Sequence, residues 1–483
     1  HRQQLLLSEL WQAMAQQLFN RLPVLIEQLE ATLVDESNHS LLNRDINFFH
    51  ALIDYWQGNG ESSFAYLEDS IKQLPEQPGV IDGWVGLYYG LALCMNGRKD
   101  RAIQDISDLM NGVGISVLYR SQLMGALVFI HLLSGELTEA RKKAQIFEML
   151  THENHIANSE AWSNYLLGSI AFHRFELDKA AEFFLKADRQ RYILEPKAAL
   201  DTLAGLVITQ SLLGQSGEAI ETQRQLLAFA KERNDAESFS IAQSCEARLQ
   251  LLRGELEPAA KWARSASTAP ALDELFCWLE VPSLTRVRVL LAIGTEESLQ
   301  DAAAQLDLIR QLCDSCRYIG QAIEAAVLQS LLLEKQGRTD EALSSLQQVV
   351  AMAAPDAWIR PFIELGQPMA ELLERLEKEQ GQNDFVTQLL NCFQRLKSQQ
   401  TIVVKDHPDL ELSPMLVTEP LTNRELEILS LLVRRLQNKE IAASLFVSPE
   451  TVKTHLKHLY QKLGVNTRRE AAEMAKHILQ SSE

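Results

Sequence analysis

The chain has 483 residues, 46% hydrophobic and 23% charged, with 64 Asp/Glu against 46 Lys/Arg and a net charge of −18. A length of this order predicts about two to four domains, and the acidic balance excludes nucleic-acid binding along the whole surface. No apolar run reaches the roughly 18 residues a membrane span needs, and six scattered cysteines fit reduced thiols in a cytoplasmic protein rather than a disulfide framework.

The chain opens on His1-Arg2-Gln3-Gln4. With neither Met nor a signal-peptide pattern there, it is read as part of a longer protein. The strongest pattern in the first 350 residues is repetition. A turn followed by a small residue near the start of a new helix recurs, ending on Ala65, Ala102, Ala140, Ala180, Ala219, Ala259, Ala302 and Ala342. The spacings are 37, 38, 40, 39, 40, 43 and 40 residues. A fixed period of this size predicts a helical solenoid of eight stacked pairs with a concave inner surface. Alanine near the start of each second helix lets two backbones approach. In one complete unit Gly168 is the matching small residue on the first helix, and Phe184 and Ala187 continue the buried face. This glycine–alanine–phenylalanine–alanine spacing resembles the tetratricopeptide pattern, with about 40 rather than 34 residues per unit.

Aromatic residues on or near the first helices, namely Trp84, Tyr88, Tyr119, Trp162 and Tyr165, are candidates to line the inner groove and to bind an inducer. Two metal-like spacings carry less. Cys313 and Cys316 have no second pair and no flanking βαβ pattern, and His152 and His155 lie in a polar stretch. No metal is therefore expected. After Pro355 the pattern changes, and residues 358–376 read as one more helix pair or a solenoid cap. Residues 1–398 form the expected sensor domain. Residues 399–420, with Pro408, Pro414, Pro420 and a β-prone Thr401-Ile-Val-Val, read as a linker.

Residues 421–483 read as four short helices. Thr422 with Glu425 forms a capping box, Asn438 can cap the second helix, Ser448-Pro449 opens the third, and Thr467 starts the fourth. In the third helix Val452, Leu456, Leu459 and Leu463 repeat at core spacing. That leaves Lys453, Thr454 and Lys457 as candidate base readers, as on a recognition helix in the major groove. Arg434, Arg435, Lys439, Thr451, His455, Arg468 and Arg469 surround them and suit phosphate contacts. This segment holds ten Lys/Arg against seven Asp/Glu, leaving −21 for the rest of the chain. Only the terminal module is therefore suited to double-stranded DNA.

The stretches L-T-N-R-E, N-K-E-I-A, S-P-E-T-V-K-T-H and K-L-G-V closely resemble the LuxR-type DNA-binding domain. The resemblance implies a four-helix domain that dimerises on DNA, with Lys453 and Lys457 at base edges. Arg435 stands where that family usually has glycine. Repeats followed by such a C-terminus, with W-I-R-P-F-I-E-L-G between, are similar to the MalT-like regulators. That resemblance implies an ATP-dependent bacterial transcription activator of which this chain is the sensor and output part. ATP is expected only for a preceding NTPase domain, since no G-x-x-x-x-G-K-[ST] occurs here. No cofactor, catalytic residue or enzyme activity is expected of this chain.

The expectation is thus an all-α protein: a tetratricopeptide-like helical-repeat superhelix followed by a four-helix LuxR-type helix-turn-helix domain. Its partners would be DNA, a small-molecule inducer or regulatory protein, a second copy on DNA, and RNA polymerase. The alternative is an adaptor whose repeats bind a partner protein while the C-terminus tethers it to DNA.

Overall fold

A computed structural model of the chain describes residues 2–15, 19–32, 40–112, 114–267 and 269–405, together with Leu456. Regular structure among the described residues is helical throughout. Helices α1 (Arg2–Ala15) and α2 (Leu22–Glu30) precede eight helix pairs. The first four pairs are α3 (Ser40–Trp56) with α4 (Gly60–Lys72), α5 (Val80–Met95) with α6 (Lys99–Met110), α7 (Val117–Leu133) with α8 (Leu137–Glu153), and α9 (Ala157–His173) with α10 (Leu177–Asp188). The other four are α11 (Pro196–Leu212) with α12 (Ser216–Arg233), α13 (Ala236–Leu252) with α14 (Leu256–Ser265), α15 (Pro282–Ile293) with α16 (Glu296–Cys316), and α17 (Ile319–Lys335) with α18 (Thr339–Ala353). Three helices follow: α19 (Arg360–Ile363), α20 (Gly366–Gln380) and α21 (Asp384–Lys405).

The small-residue rule explains the stacking. Ala102, Ala140, Ala180, Ala219, Ala259, Ala302 and Ala342 have no exposed surface. Ala65 departs from the expected register, for it is exposed while Ser63 is fully buried. The cap of α4 is Asn59, and the buried small residue is the fourth after the cap, as Ala102 is after Arg98. The Ser63 hydroxyl donates to the Ala51 carbonyl at 2.8 Å, which satisfies it in that position. A Cβ at Gly168 would lie 2.6 Å from Cδ1 of Phe184, so only glycine admits that ring between α9 and α10.

The concave face is filled rather than open. Between α14 and α15 an irregular segment, residues 269–281, turns inward and buries Leu275, Phe276, Trp278, Leu279 and Val281. Each such side chain stabilises the inward position by about 1.5–3 kcal/mol if fully buried. The caps on either side of this segment, Glu255 and Thr295, are 40 residues apart, and the 43-residue spacing between Ala259 and Ala302 arises because Ala302 lies seven rather than four residues after its cap. The superhelix also meets itself, for the Tyr55 and Tyr318 hydroxyls are 3.1 Å apart and buried.

Residues 354–365 do not extend the stack as a further pair. They run back across earlier turns: Trp358 Nε1 donates to the Gly135 carbonyl at 2.7 Å, and the Ile359 amide to the His173 carbonyl at 3.0 Å. Helix α21 continues to Lys405, so residues 399–405 are helical where a linker was expected. β-Branched residues disfavour helix by only a few tenths of a kcal/mol each, and no proline occurs before Pro408 to stop it. Of the C-terminal module, Leu456 is helical and buried, on the side its spacing assigns to the core.

Candidate functional site

Where the inward segment meets α5, α7 and α9, a cleft remains with a cavity volume of about 100 Å³. Trp84, Tyr88 and Trp162, three of the five aromatic candidates, line it. Tyr119 and Tyr165 do not. Both are fully buried, and Tyr165 instead donates from its hydroxyl to Asp201 Oδ2 at 2.7 Å. Sequence reasoning missed Trp56, Phe129, Phe147, Phe276 and Trp278, which complete the aromatic lining. Phe129 lies on a first helix and follows the same signal as Trp162. Phe276 and Trp278 lie outside any helical period and carried no signal beyond their composition.

The rings form a continuous wall. Phe276 stands 5.5 Å from Trp56 at 71° and 5.6 Å from Phe129. Phe129 in turn stands 5.6 Å from Trp162 at 73°. The Phe276–Trp56 and Phe129–Trp162 contacts are edge-to-face, which suits the ring quadrupoles, and the Phe276–Phe129 pair is tilted at 35°. The polar lining is sparse: Gln122, Asn158, Ser159 and Glu195. The Gln122 Oε1 atom is buried and has no hydrogen-bond partner among the described residues. Burial first, and then the charge of Glu195, push the Tyr88 phenol up, so it stays neutral.

The wall depends on what holds the inward segment. Asp201 on α11 accepts from the Leu279 amide at 2.9 Å and the Glu280 amide at 2.9 Å, besides the Tyr165 hydroxyl. Burial pushes its carboxyl up to about 6, although these three donors oppose the shift. Beyond Leu279 lies a buried cluster of three arginines and three glutamates. Arg248 pairs with Glu280 at 2.9 Å and with Glu364 at 2.7 Å. Arg360 pairs with Glu364 at 2.9 Å and with Glu324 at 3.0 Å, and Arg288 also meets Glu324. Burial would raise the Glu364 carboxyl, but the surrounding arginines hold it far below the usual carboxylate range. The cluster ties the inward segment and residues 360–364 to α13, α15 and α17.

On the other side of Trp56 lies a wider cleft of mixed charge that includes Phe19, Lys197, Arg233, Glu237 and Asp273. There Lys197 is buried, pairs with Glu237 and Asp273, and places its Nζ 5.6 Å from the Trp278 ring centre. Cys313 and Cys316 sit buried on α16, where burial pushes the Cys313 thiol up to about 12. No group of three or more His, Cys, Asp and Glu that could hold a metal ion occurs among the described residues. The DNA candidates Arg434, Arg435, Lys439, Thr451, Lys453, Thr454, His455, Lys457, Arg468 and Arg469 lie outside the described residues.

Comparison with known proteins covers both halves of the chain. The family profile described as MalT-like TPR region matches residues 45–379, and that described as bacterial regulatory proteins, luxR family, matches residues 419–475. The HTH-type transcriptional regulator MalT of Serratia proteamaculans (strain 568) is 27% identical over 240 residues, 47% of this chain and 26% of that protein. The regulator of the same name from Vibrio cholerae serotype O1 is 26% identical over 296 residues, 58% of this chain and 31% of that protein. The aligned stretches thus span about a quarter to a third of these relatives' length. Among solved structures, a Rap protein complexed with competence and sporulation factor aligns at a TM-score of 0.48 and 11% identity, over 74% of this chain and 99% of that one.

Proposed function

The chain belongs to the MalT-like family of luxR-type bacterial regulators, and from that membership we propose that it is the sensing and DNA-reading part of a transcription activator. A luxR-type DNA-binding region and a repeat region of sensor type stand on one chain. The observation that carries the reading is the aromatic cleft inside the repeats, held by a segment whose position depends on buried polar contacts. In this account an inducer in the cleft biases a two-state element, and the bias reaches DNA binding as a coupling free energy. Lys453, Thr454 and Lys457 read base edges, and the surrounding arginines, Lys439, Thr451 and His455 hold phosphates. Binding to DNA is accompanied by self-association and contact with RNA polymerase, and an ATP-dependent domain belongs to the longer protein.

Selection from a random pool of double-stranded DNA tests the reading. The chain should enrich one sequence family, and a variant carrying both Lys453→Ala and Lys457→Ala should enrich none. Sequence-blind retention of the pool by the wild-type chain would reject it.

A further inference from the structure

We propose that a second cavity of the repeat region takes a small monocarboxylate with a short apolar body. The site is separate from the aromatic cleft and does not depend on the sensor reading. It lies between α13, α15, α17 and the start of α20, with a volume of about 180 Å³. A water molecule occupies about 30 Å³ of liquid, so the space suits a carboxylate with a chain of a few carbons. The walls are mainly apolar, with Leu251, Leu291, Leu331, Leu365 and Pro368 among them. The rest of the lining is charged, and the balance of that charge points to an anion.

The charged lining residues are Arg248, Arg288, Lys335 and Glu364. Glu364 is already matched. Its Oε1 accepts from Arg248 Nε, and its Oε2 accepts from Arg248 Nη2 at 2.7 Å and from Arg360 Nη1 at 2.9 Å. Arg248 is matched as well, since its Nη1 donates to the Leu279 carbonyl at 2.7 Å and to Glu280 at 2.9 Å. Lys335 is exposed and makes no ion pair among the described residues. Behind the lining stand Arg360, Glu280 and Glu324. The cations Arg248, Arg288, Arg360 and Lys335 thus share the carboxylates Glu280, Glu324 and Glu364, which leaves one positive charge over. Glu334, beside Lys335, does not alter this balance, because it pairs with Arg375 at 2.7 Å.

The unmatched donors belong to Arg288. It meets Glu324 through Nη2, and Glu324 also serves both terminal nitrogens of Arg360. Among the described residues no hydrogen bond engages Arg288 Nε or Nη1, although only 7% of the side chain is accessible. Burial, and next the charge of Arg248, pull its guanidinium down to about 9. Arg248 is as deeply buried but has two carboxylates, and it is raised instead. The shortage at Arg288 is therefore one of negative charge. No unpartnered buried acceptor belongs to the described lining, so the cavity offers donors to a ligand and requires none in return. A carboxylate brings two acceptor oxygens in the plane that a guanidinium fork matches. An ammonium would add a further cation, and an alcohol brings no charge.

The test titrates butanoate, butylammonium, butanol and acetate into the full chain by calorimetry. Butanoate should bind about tenfold or more tightly than butanol, the scale of one hydrogen bond to a charged group, and butylammonium should bind least. Acetate should bind about tenfold more weakly than butanoate, because it lacks two methylenes that the apolar walls would bury. Arg288→Met should abolish the preference for butanoate over butanol. Loss of a buried charge can unfold the repeats, so a second variant, Ala292→Phe, fills the cavity from an exposed lining position. It should block butanoate while thermal melting shows the variant folded. Butylammonium or butanol binding as tightly as butanoate overturns the assignment. So do acetate binding equal to that of butanoate, butanoate binding that survives Ala292→Phe, and no butanoate binding at all. None of these outcomes bears on the aromatic cleft, and the DNA selection tests the sensor reading separately.

Discussion

Asp201 concentrates three hydrogen bonds from two backbone amides and a tyrosine on one buried carboxyl. Removing it strands three donors, and an unsatisfied buried group costs about 1–3 kcal/mol. Asp201→Ala should therefore destabilise the repeat region by about 3–5 kcal/mol in urea unfolding followed by tryptophan fluorescence. Asp201→Asn, which keeps an acceptor oxygen, should lose less than half of that. Equal losses would show that the hydrogen bonds are not what holds Leu279 and Glu280 in place. His173 makes a separate prediction about pH. Burial, together with the charges of Arg360 and Arg248, holds its imidazole well below the ordinary histidine range. A depressed pKa means that its contribution to stability is full above about pH 6.5 and is lost as pH falls below it, because the unfolded chain takes the proton first. Asp201, pushed up to about 6, acts with the opposite sign: its contribution is full at low pH and fades as pH rises through that value. The difference between wild type and His173→Gln isolates the histidine. From about pH 7 to about pH 5 the wild-type melting temperature should fall further than that of the variant. Parallel falls would remove His173 from the account.

At the scale of elements, the inward segment is the part of the repeat region that decides whether the groove can hold a ligand. Phe276 is its centre, within 6.0 Å of the Trp56, Phe129, Trp278 and Tyr318 rings. Phe276→Ala should destabilise by about 3–5 kcal/mol and open the cleft, detectable as increased proteolysis between residues 269 and 281. Unchanged protease resistance would mean the segment is held by its polar contacts to Asp201 and the ion cluster, without need of the Phe276 ring. The helix pairs around this segment were legible because a buried small residue, four places after the cap in all the second helices but α16, is a strict steric demand. Ala102, Ala140 and Ala180 announce it without any knowledge of what packs against them. Ala65 misled because its turn reads two residues longer, and the demand there falls on Ser63. Phe276, Glu280 and Glu364 were illegible for a different reason. Their places depend on contacts between residues far apart in sequence, such as Arg248 with Glu280 and Glu364 or Phe276 with Trp56, and no local period encodes such contacts. Trp84, Tyr88 and Trp162 were found from position on the first helices alone. That rule cannot separate them from Tyr165, whose hydroxyl is drawn into the core by Asp201.

For the whole molecule, charge divides the labour: a repeat-bearing portion of strong negative charge stands before a module of net positive charge. Phosphate neutralisation scales with basic contacts, so DNA binding should rest on the residues after 420. The most direct measurement is an anisotropy titration of the selected duplex and a scrambled duplex, over a range of salt, with four single variants. Lys453→Ala and Lys457→Ala should each cost roughly 1–3 kcal/mol on the selected duplex and leave the scrambled one nearly unchanged. Arg434→Ala and Lys439→Ala should weaken both duplexes alike and flatten the salt dependence. Equal, sequence-blind losses for all four would contradict the assignment of a reading helix.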